Sequence, residues 1–236
     1  MQKLQKIYEG KAKIIYSTDD PDQLIQYFKD DATAFNAQKK AVIENKGILN
    51  NKISEILMGK IIQANIPCHF IKKINDREQL IKKLKIIPLE VIIRNIAAGS
   101  MAKRLGLEEG QGLLSPIFEI CYKKDELGDP LINDDHAIKV LKIINEQKLT
   151  QIKNYAFKIN QILIESFLRA GLDLVDFKIE FGLDKNDKIH LADEISPDSC
   201  RLWDVKTRQK FDKDIFRRDL GDLVAGYQEV LKRISS

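Results

Sequence analysis

Two stretches toward the carboxy-terminal end gather charged side chains at strand spacing: VDFKIEFG, Val175 to Gly182, and LADEISPDSCRLWD, Leu191 to Asp204. In the first, Asp176, Lys178 and Glu180 share one face, and Val175, Phe177, Ile179 and Phe181 the other, by the two-residue period of a β-strand. LDKND, Leu183 to Asp187, reads as a turn into KIHLADEI, so the two stretches form an antiparallel hairpin. Pairing Leu183 with Lys188 sets Lys178 opposite Asp193 and places Asp193 on the charged face. Glu180 and Asp193 then converge on one point, as a magnesium ion bridging nucleotide phosphates requires. Lys178, between acids, either neutralises them or binds a phosphoryl group. A solvated face laced with ion pairs is the ordinary reading of one such strand. The second strand weighs against it, because Asp193 lies in phase with Ile189 and Leu191, where a carboxylate at the rim of a buried face needs a cation or a donor. Pro197 then breaks the strand and brings Asp198 and Arg201 over its end, where loops present side chains to ligands.

The elements that must position these groups are legible in the periodicity upstream. GKAKIIYS alternates lysines with apolar residues, and QLIQYFK comes after the turn of Asp19 to Asp22, which predicts a hairpin. The spacing of Leu49, Ile53, Ile56, Leu57 and Ile61 is helical, and Pro67 begins another strand. EQLIKKLKI and PLEVIIRNI read as two strands with Pro88 between them. A short helix after Gly99 precedes the strand SPIFEICYK. The longest helix carries Ile152, Ala156, Ile159, Leu163 and Phe167 on one stripe and stops at Gly171. A final helix is expected from about Asp214 to Ile234. Clustered strands, then long helices and a hairpin, give an α+β fold rather than a doubly wound sheet.

Composition narrows the partners. The 236 residues carry 39 basic against 35 acidic side chains, a net charge of +4, with both signs spread along the chain, so attraction to anions is modest. Cys68, Cys121 and Cys200 are odd in number and far apart, against a disulfide framework or a zinc site. The amino terminus lacks the apolar core of a signal peptide and no run approaches ~18 apolar residues, so a cytoplasmic protein is expected.

With these residues in view, the chain resembles the SAICAR synthetase family of purine biosynthesis over essentially its whole length. The motifs that carry the resemblance are YEGKAKIIY, DDATAFNAQKK, KGILNNKIS, VIIRNIAAGSMAKRLG, VDFKIEFG and DEISPDSCRLWD, in the family's order. The resemblance implies an ATP-dependent ligase that joins aspartate to the carboxylate of carboxyaminoimidazole ribotide (CAIR). It also implies a two-lobed α+β fold of mainly antiparallel sheets, akin to ATP-grasp enzymes and protein kinases, with ATP in the cleft. Residues 1–88 would form the nucleotide-covering lobe and residues 89–236 the lobe with the metal and ribotide sites. Gly10, Lys11 and Lys13 fall on the family's glycine-rich hairpin over the ATP phosphates, and Glu180 and Asp193 on its magnesium ligands. Arg94 and Ser100, with Asp198 and Arg201 from the proline turn, fall on ribotide-binding positions. Asp176 and Lys178 match the active-site strand. In CYKKDELGDP, Lys123 or Lys124 corresponds to an ATP-facing lysine, with Lys123 taken, and Asp129 to a substrate acid.

The implied mechanism phosphorylates the imidazole carboxylate and lets the aspartate amine attack, with magnesium and Lys13 stabilising the transferring group and Asp176 accepting the amine proton. The family suggests a homodimer. Glu194 alternates to the opposite face and Asp204 caps the next segment of the chain, so both are placed outside the site. His190 reads as a surface residue and Trp203 as a packing anchor. A kinase-like phosphotransferase would share the lysine hairpin and metal acids. A nucleic-acid-binding module would need basic clusters with interleaved aromatics, and here acids interrupt every basic stretch.

Overall fold

The lysine-alternating amino terminus folds into a sheet by antiparallel pairing; Lys3–Glu9 stays exposed along its length, and the side chains that reach a core come later, Ile25 and Phe28 among them. In the computed structural model, which describes residues 2–34 and 38–235, Phe35, Asn36 and Ala37 of the DDATAFNAQKK segment lie outside the described residues. Strands β1 (Lys3–Glu9), β2 (Lys13–Thr18) and β3 (Gln23–Phe28) run antiparallel, with Ser17 opposite Leu24 across the expected turn. A small ladder of β4 (Asp31–Ala34) and β5 (Lys39–Val42) leads to helix α1 (Lys46–Gln63). Strands β6 (Phe70–Lys73) and β7 (Glu78–Lys82) then complete the first sheet in the order β1-β2-β3-β7-β6.

The second sheet is built from β8 (Lys85–Ile96), β9 (Gly112–Tyr122), β10 (Leu131–Ile132), β11 (Leu172–Leu183), β12 (Ile189–Ala192) and β13 (Cys200–Asp204). Its order is β10-β9-β8-β11-β12, and β13 pairs with the other half of the same edge of β11. Every pairing is antiparallel. Helix α2 (Gly99–Leu105) joins β8 to β9. Helix α3 (Glu146–Arg169) ends at Gly171, whose φ of 69° is the left-handed stop that glycine adopts without strain. The α3 stripe of Ile159, Leu163 and Phe167 is buried in one cluster with Ile53 and Leu57 of α1 and Phe177 of β11. Each such side chain contributes roughly 1.5–3 kcal/mol by leaving water, which binds the helices to the second sheet.

Four expectations change. Pro88 lies inside β8 rather than between two strands. There Glu180 faces Glu90 while Gly182 faces Ile86, so β8 carries extra residues, and a proline within this irregularity forfeits no ladder donor. The β11–β12 hairpin pairs Leu183 with Ile189, one residue from the expected register, because Asp184–Lys188 form a five-residue loop with Asp187 at φ 63°. Val175 does not share the face of Phe177. A register shift between Leu174 and Asp176 turns it into a separate cluster with Ala98 and Trp203. The final helix is two: α4 (Asp214–Arg217) and α5 (Leu223–Ile234), the second capped by Asp222, whose Oδ1 accepts from Val224 N at 2.8 Å.

Candidate active site

A cleft of about 730 Å³ is lined by Ile15, Leu24 and Ile81 from the first sheet and by Glu90, Lys178 and Glu180 from the second. Gly10 closes the β1–β2 turn, its N–H donating to Lys13 O at 2.8 Å, and Lys11 and Lys13 extend from that hairpin into the same space. Lys13 meets Asp193 in a close ion pair and lies 3.8 Å from Glu194 Oε1. Burial lowers the affinity of the Lys13 ammonium for its proton, while the charges of Glu194 and Glu180 oppose that. Lys123 Nζ donates to both Glu180 oxygens at 2.6 Å, whereas Lys124 turns away to Glu126, so Lys123 is the lysine of the cleft. Lys178 pairs with Glu90. Burial alone would lower its pKa, but Glu90 and Glu180 raise it above the ordinary value, which keeps it charged. Lys11 pairs with Asp125, and Asp129 borders the cleft while its Oδ1 accepts from Lys124 N at 2.8 Å.

Asp193 reaches the cleft by a route that strand phase does not describe. With Glu180 opposite Ala192, continued alternation would turn Asp193 toward the core. Instead its φ of 63° takes the chain out of the strand, and the His69 ring donates from Nε2 to the Asp193 carbonyl oxygen at 2.7 Å. Aspartate tolerates this left-handed region better than most residues. The same reversal carries Glu194 into the lining of the cleft, contrary to its placement outside the site. His190, expected at the surface, is buried, with Nε2 3.0 Å from Asp184 Oδ2.

Arg94, Ser100, Asp176 and Arg201 come together as a second cluster, not among the residues that line the cleft. Arg94 donates to Asp176 Oδ2 at 2.8 Å, to Glu119 Oε2 at 2.8 Å and to Ser100 Oγ at 3.2 Å. Arg201 Nη1 donates to the two Asp176 oxygens at 3.0 and 2.7 Å, and its Nε to Asp214 Oδ2 at 3.1 Å. Asp176 thus orients two guanidinium groups. Asp198 lines the cleft with a buried side chain: Tyr227 donates to its Oδ1 at 2.6 Å, Asn50 to its Oδ2 at 3.0 Å, and Lys46 Nζ lies 2.5 Å from Oδ2. Burial alone would push the Asp198 carboxyl up, but Lys213 and Lys46 hold it well below the usual carboxylate range.

His69, Lys46, Glu90 and Glu119 are not singled out by the sequence. Only Lys46 carries a signal there, as the first lysine of KGILNNKIS; His69 has no local spacing that marks it. Asp204 caps its turn as expected, accepting from Lys206 N at 2.9 Å and Thr207 N at 2.8 Å. Trp203 is packed against Ala98 and Val175.

Among the described residues, no group of three or more His, Cys, Asp or Glu side chains is placed to hold a metal by protein ligands alone. Glu180 and Asp193 nevertheless fit magnesium: both are hard oxygen donors at the cleft, and each already faces a cation, Lys123 or Lys13. One or two carboxylates completed by substrate phosphates is the usual magnesium arrangement.

A family model described as SAICAR synthetase matches residues 6–234. A phosphoribosylaminoimidazole-succinocarboxamide synthase of Clostridium botulinum is 57% identical over 235 residues, covering 100% of both chains. The crystal structure of the synthase of the same name from Ehrlichia chaffeensis superposes with a TM-score of 0.96 at 50% identity, covering 98% of each chain. A SAICAR synthetase solved in complex with ADP gives a TM-score of 0.93 at 50% identity, covering 96% of each.

Proposed function

The chain belongs to the SAICAR synthetase family, and on that basis we propose that it joins L-aspartate to the carboxylate of CAIR, forming SAICAR, ADP and phosphate. It is an ATP-dependent carboxylate–amine ligase of purine biosynthesis. The observation that carries the specific reading is the alternation of lysines and acids in the cleft, Lys13 with Asp193 and Lys123 with Glu180. Such pairs prepare one space for triphosphate oxygens and for a cation.

In this reading Gly10, Lys11 and Lys13 cover the ATP phosphates, and Lys123 exchanges its Glu180 contact for the nucleotide. Glu180 and Asp193 would hold magnesium, which when bound supplies charge neutralisation for the transferring phosphoryl group. Lys13 and Lys178 hold positive charge beside that group, so that positioning and electrostatics lower the barrier. Arg94, Ser100 and Arg201 take the ribotide's phosphate, and Asp129 borders its path. Asp176, expected as proton acceptor, is better used as a positioning residue, because two guanidinium groups occupy its carboxylate. Asp198 likewise positions Lys46 and Tyr227. We extend the reading to two lobes, whose boundary, expected between residues 88 and 89, is better set just before β8 at Lys85, and to a cytoplasmic homodimer. No helix among the described residues is long and apolar enough to cross a membrane.

The test is to incubate the protein with ATP, magnesium, aspartate and CAIR and follow SAICAR and phosphate together. Stoichiometric appearance of both is expected. Accumulation of a phosphorylated acceptor without phosphate release would favour a phosphotransferase.

A further inference from the structure

The charged side chains of the cleft are not equally satisfied. Lys11, Lys13, Lys123 and Lys178 each have a carboxylate within 4.0 Å. Lys40 and Lys82 have none but stand exposed to water. Lys213 lines the same cleft, is half-buried, and has no carboxylate within 4.0 Å among the described residues. The acid whose charge acts on it most, Asp198, has both oxygens taken by Tyr227, Asn50 and Lys46. On the same lining, Glu194 is buried and its Oε2 has no hydrogen-bond partner among the described residues. A carboxylate oxygen withdrawn from water without a partner costs free energy until a ligand group meets it, and the half-buried Lys213 ammonium beside it has, among the described residues, no carboxylate close enough to pair with.

The two are of opposite sign and line the same cleft, yet no ion pair joins them. A ligand that carries a carboxylate and an amine at a short separation would satisfy both at once. We propose that Lys213 and Glu194 form the docking subsite for the amino-acid co-substrate, Lys213 pairing a carboxylate of aspartate and Glu194 Oε2 accepting from its amine. This deepens the ligase reading and rests on it. The subsite lies beside Asp193 in sequence and beyond the proline turn in space: Lys213 N donates to Pro197 O at 3.1 Å, which fixes that segment against the turn. The amine is thereby delivered to the wall on which the acyl group would be activated.

Steady-state kinetics with Lys213→Met, which keeps the stem and removes the charge, test the assignment. A charge-assisted contact predicts that the KM for aspartate rises about 10- to 150-fold while those for ATP and CAIR stay within about twofold. Lys213→Arg should recover part of the loss. Succinate, which retains both carboxylates and lacks the amine, should compete less well in Lys213→Met and be spared in Glu194→Gln. An unchanged aspartate KM in folded Lys213→Met overturns the subsite, as does an equal weakening of CAIR, which would place the ribotide phosphate on Lys213. Turnover by the wild-type protein without aspartate would instead remove the ligase reading itself.

Discussion

His69 Nε2 lies 2.7 Å from the carbonyl oxygen of Asp193 and so holds, by its backbone, an acid whose own φ of 63° departs from the strand before it. Burial, with Lys13 and His190 nearby, pushes the His69 imidazole down to about 3, so the ring is neutral at ordinary pH. A neutral ring that donates from Nε2 acts as a peg for the turn.

Removing the peg should loosen Asp193 without removing its carboxylate. His69→Ala is expected to raise the magnesium concentration needed for half-maximal turnover and to cost about 0.5–1.5 kcal/mol of stability through the lost hydrogen bond. A magnesium titration that superposes on the wild type, in a protein of equal Tm, would show that the turn holds itself.

Glu180→Ala or Asp193→Ala removes an oxygen donor and a charge from the cleft. Turnover should fall sharply and the magnesium requirement rise in both variants. An unchanged magnesium titration in either would leave its carboxylate as a partner for lysine only.

Arg94 and Arg201 face the ribotide in this reading, while the nucleotide is held elsewhere. Replacing either by Ala should remove on the order of 1.5–3 kcal/mol of ribotide binding, about 10- to 150-fold at ~1.4 kcal/mol per factor of ten. ATP affinity measured without ribotide should barely change. Equal weakening of both ligands in a fully folded variant would refute the division.

Gly99 guards the same cluster. Its φ is 55°, and a Cβ built there would overlap the Arg201 guanidinium, a group already tied to Asp176 and Asp214. Gly99→Ala should therefore displace the guanidinium and raise the KM for ribotide, with the KM for ATP unchanged. Titrations in which ribotide binds as in the wild type would show that Arg201 moves aside at no cost.

Asp212 has a different signature. Burial, with Asp214 close by, pushes its carboxyl up to about 7, against 3.8 for an ordinary aspartate. Between those values the folded state holds a proton that the unfolded chain has released. The stability this confers is present at about pH 4 and is lost as pH rises toward 7, by at most about 1.4 kcal/mol per pH unit. Thermal unfolding of Asp212→Asn should show a flatter dependence over that range than the wild type, whatever its offset; parallel curves would count against the assignment.

The features legible in the amino-acid sequence are those that local rules control. The period-two charges of β11, the helical stripe ending at Gly171 and the turn at Asp19 to Asp22 are written in spacing and turn chemistry, and each recurs in the fold. The motifs in their order are enough to indicate the family. Which acids face the cleft is instead a matter of long-range packing. A five-residue loop moves the hairpin register by one, which on strand phase would turn Asp193 inward, and a left-handed residue pinned by a histidine more than a hundred positions away turns it back. Packing likewise engages Asp198 with α1 and α5 while leaving Glu194 Oε2 and the Lys213 ammonium without close partners among the described residues. Periodicity describes a side chain relative to its own strand, and whether a charge is satisfied depends on what distant segments bring within 4.0 Å of it.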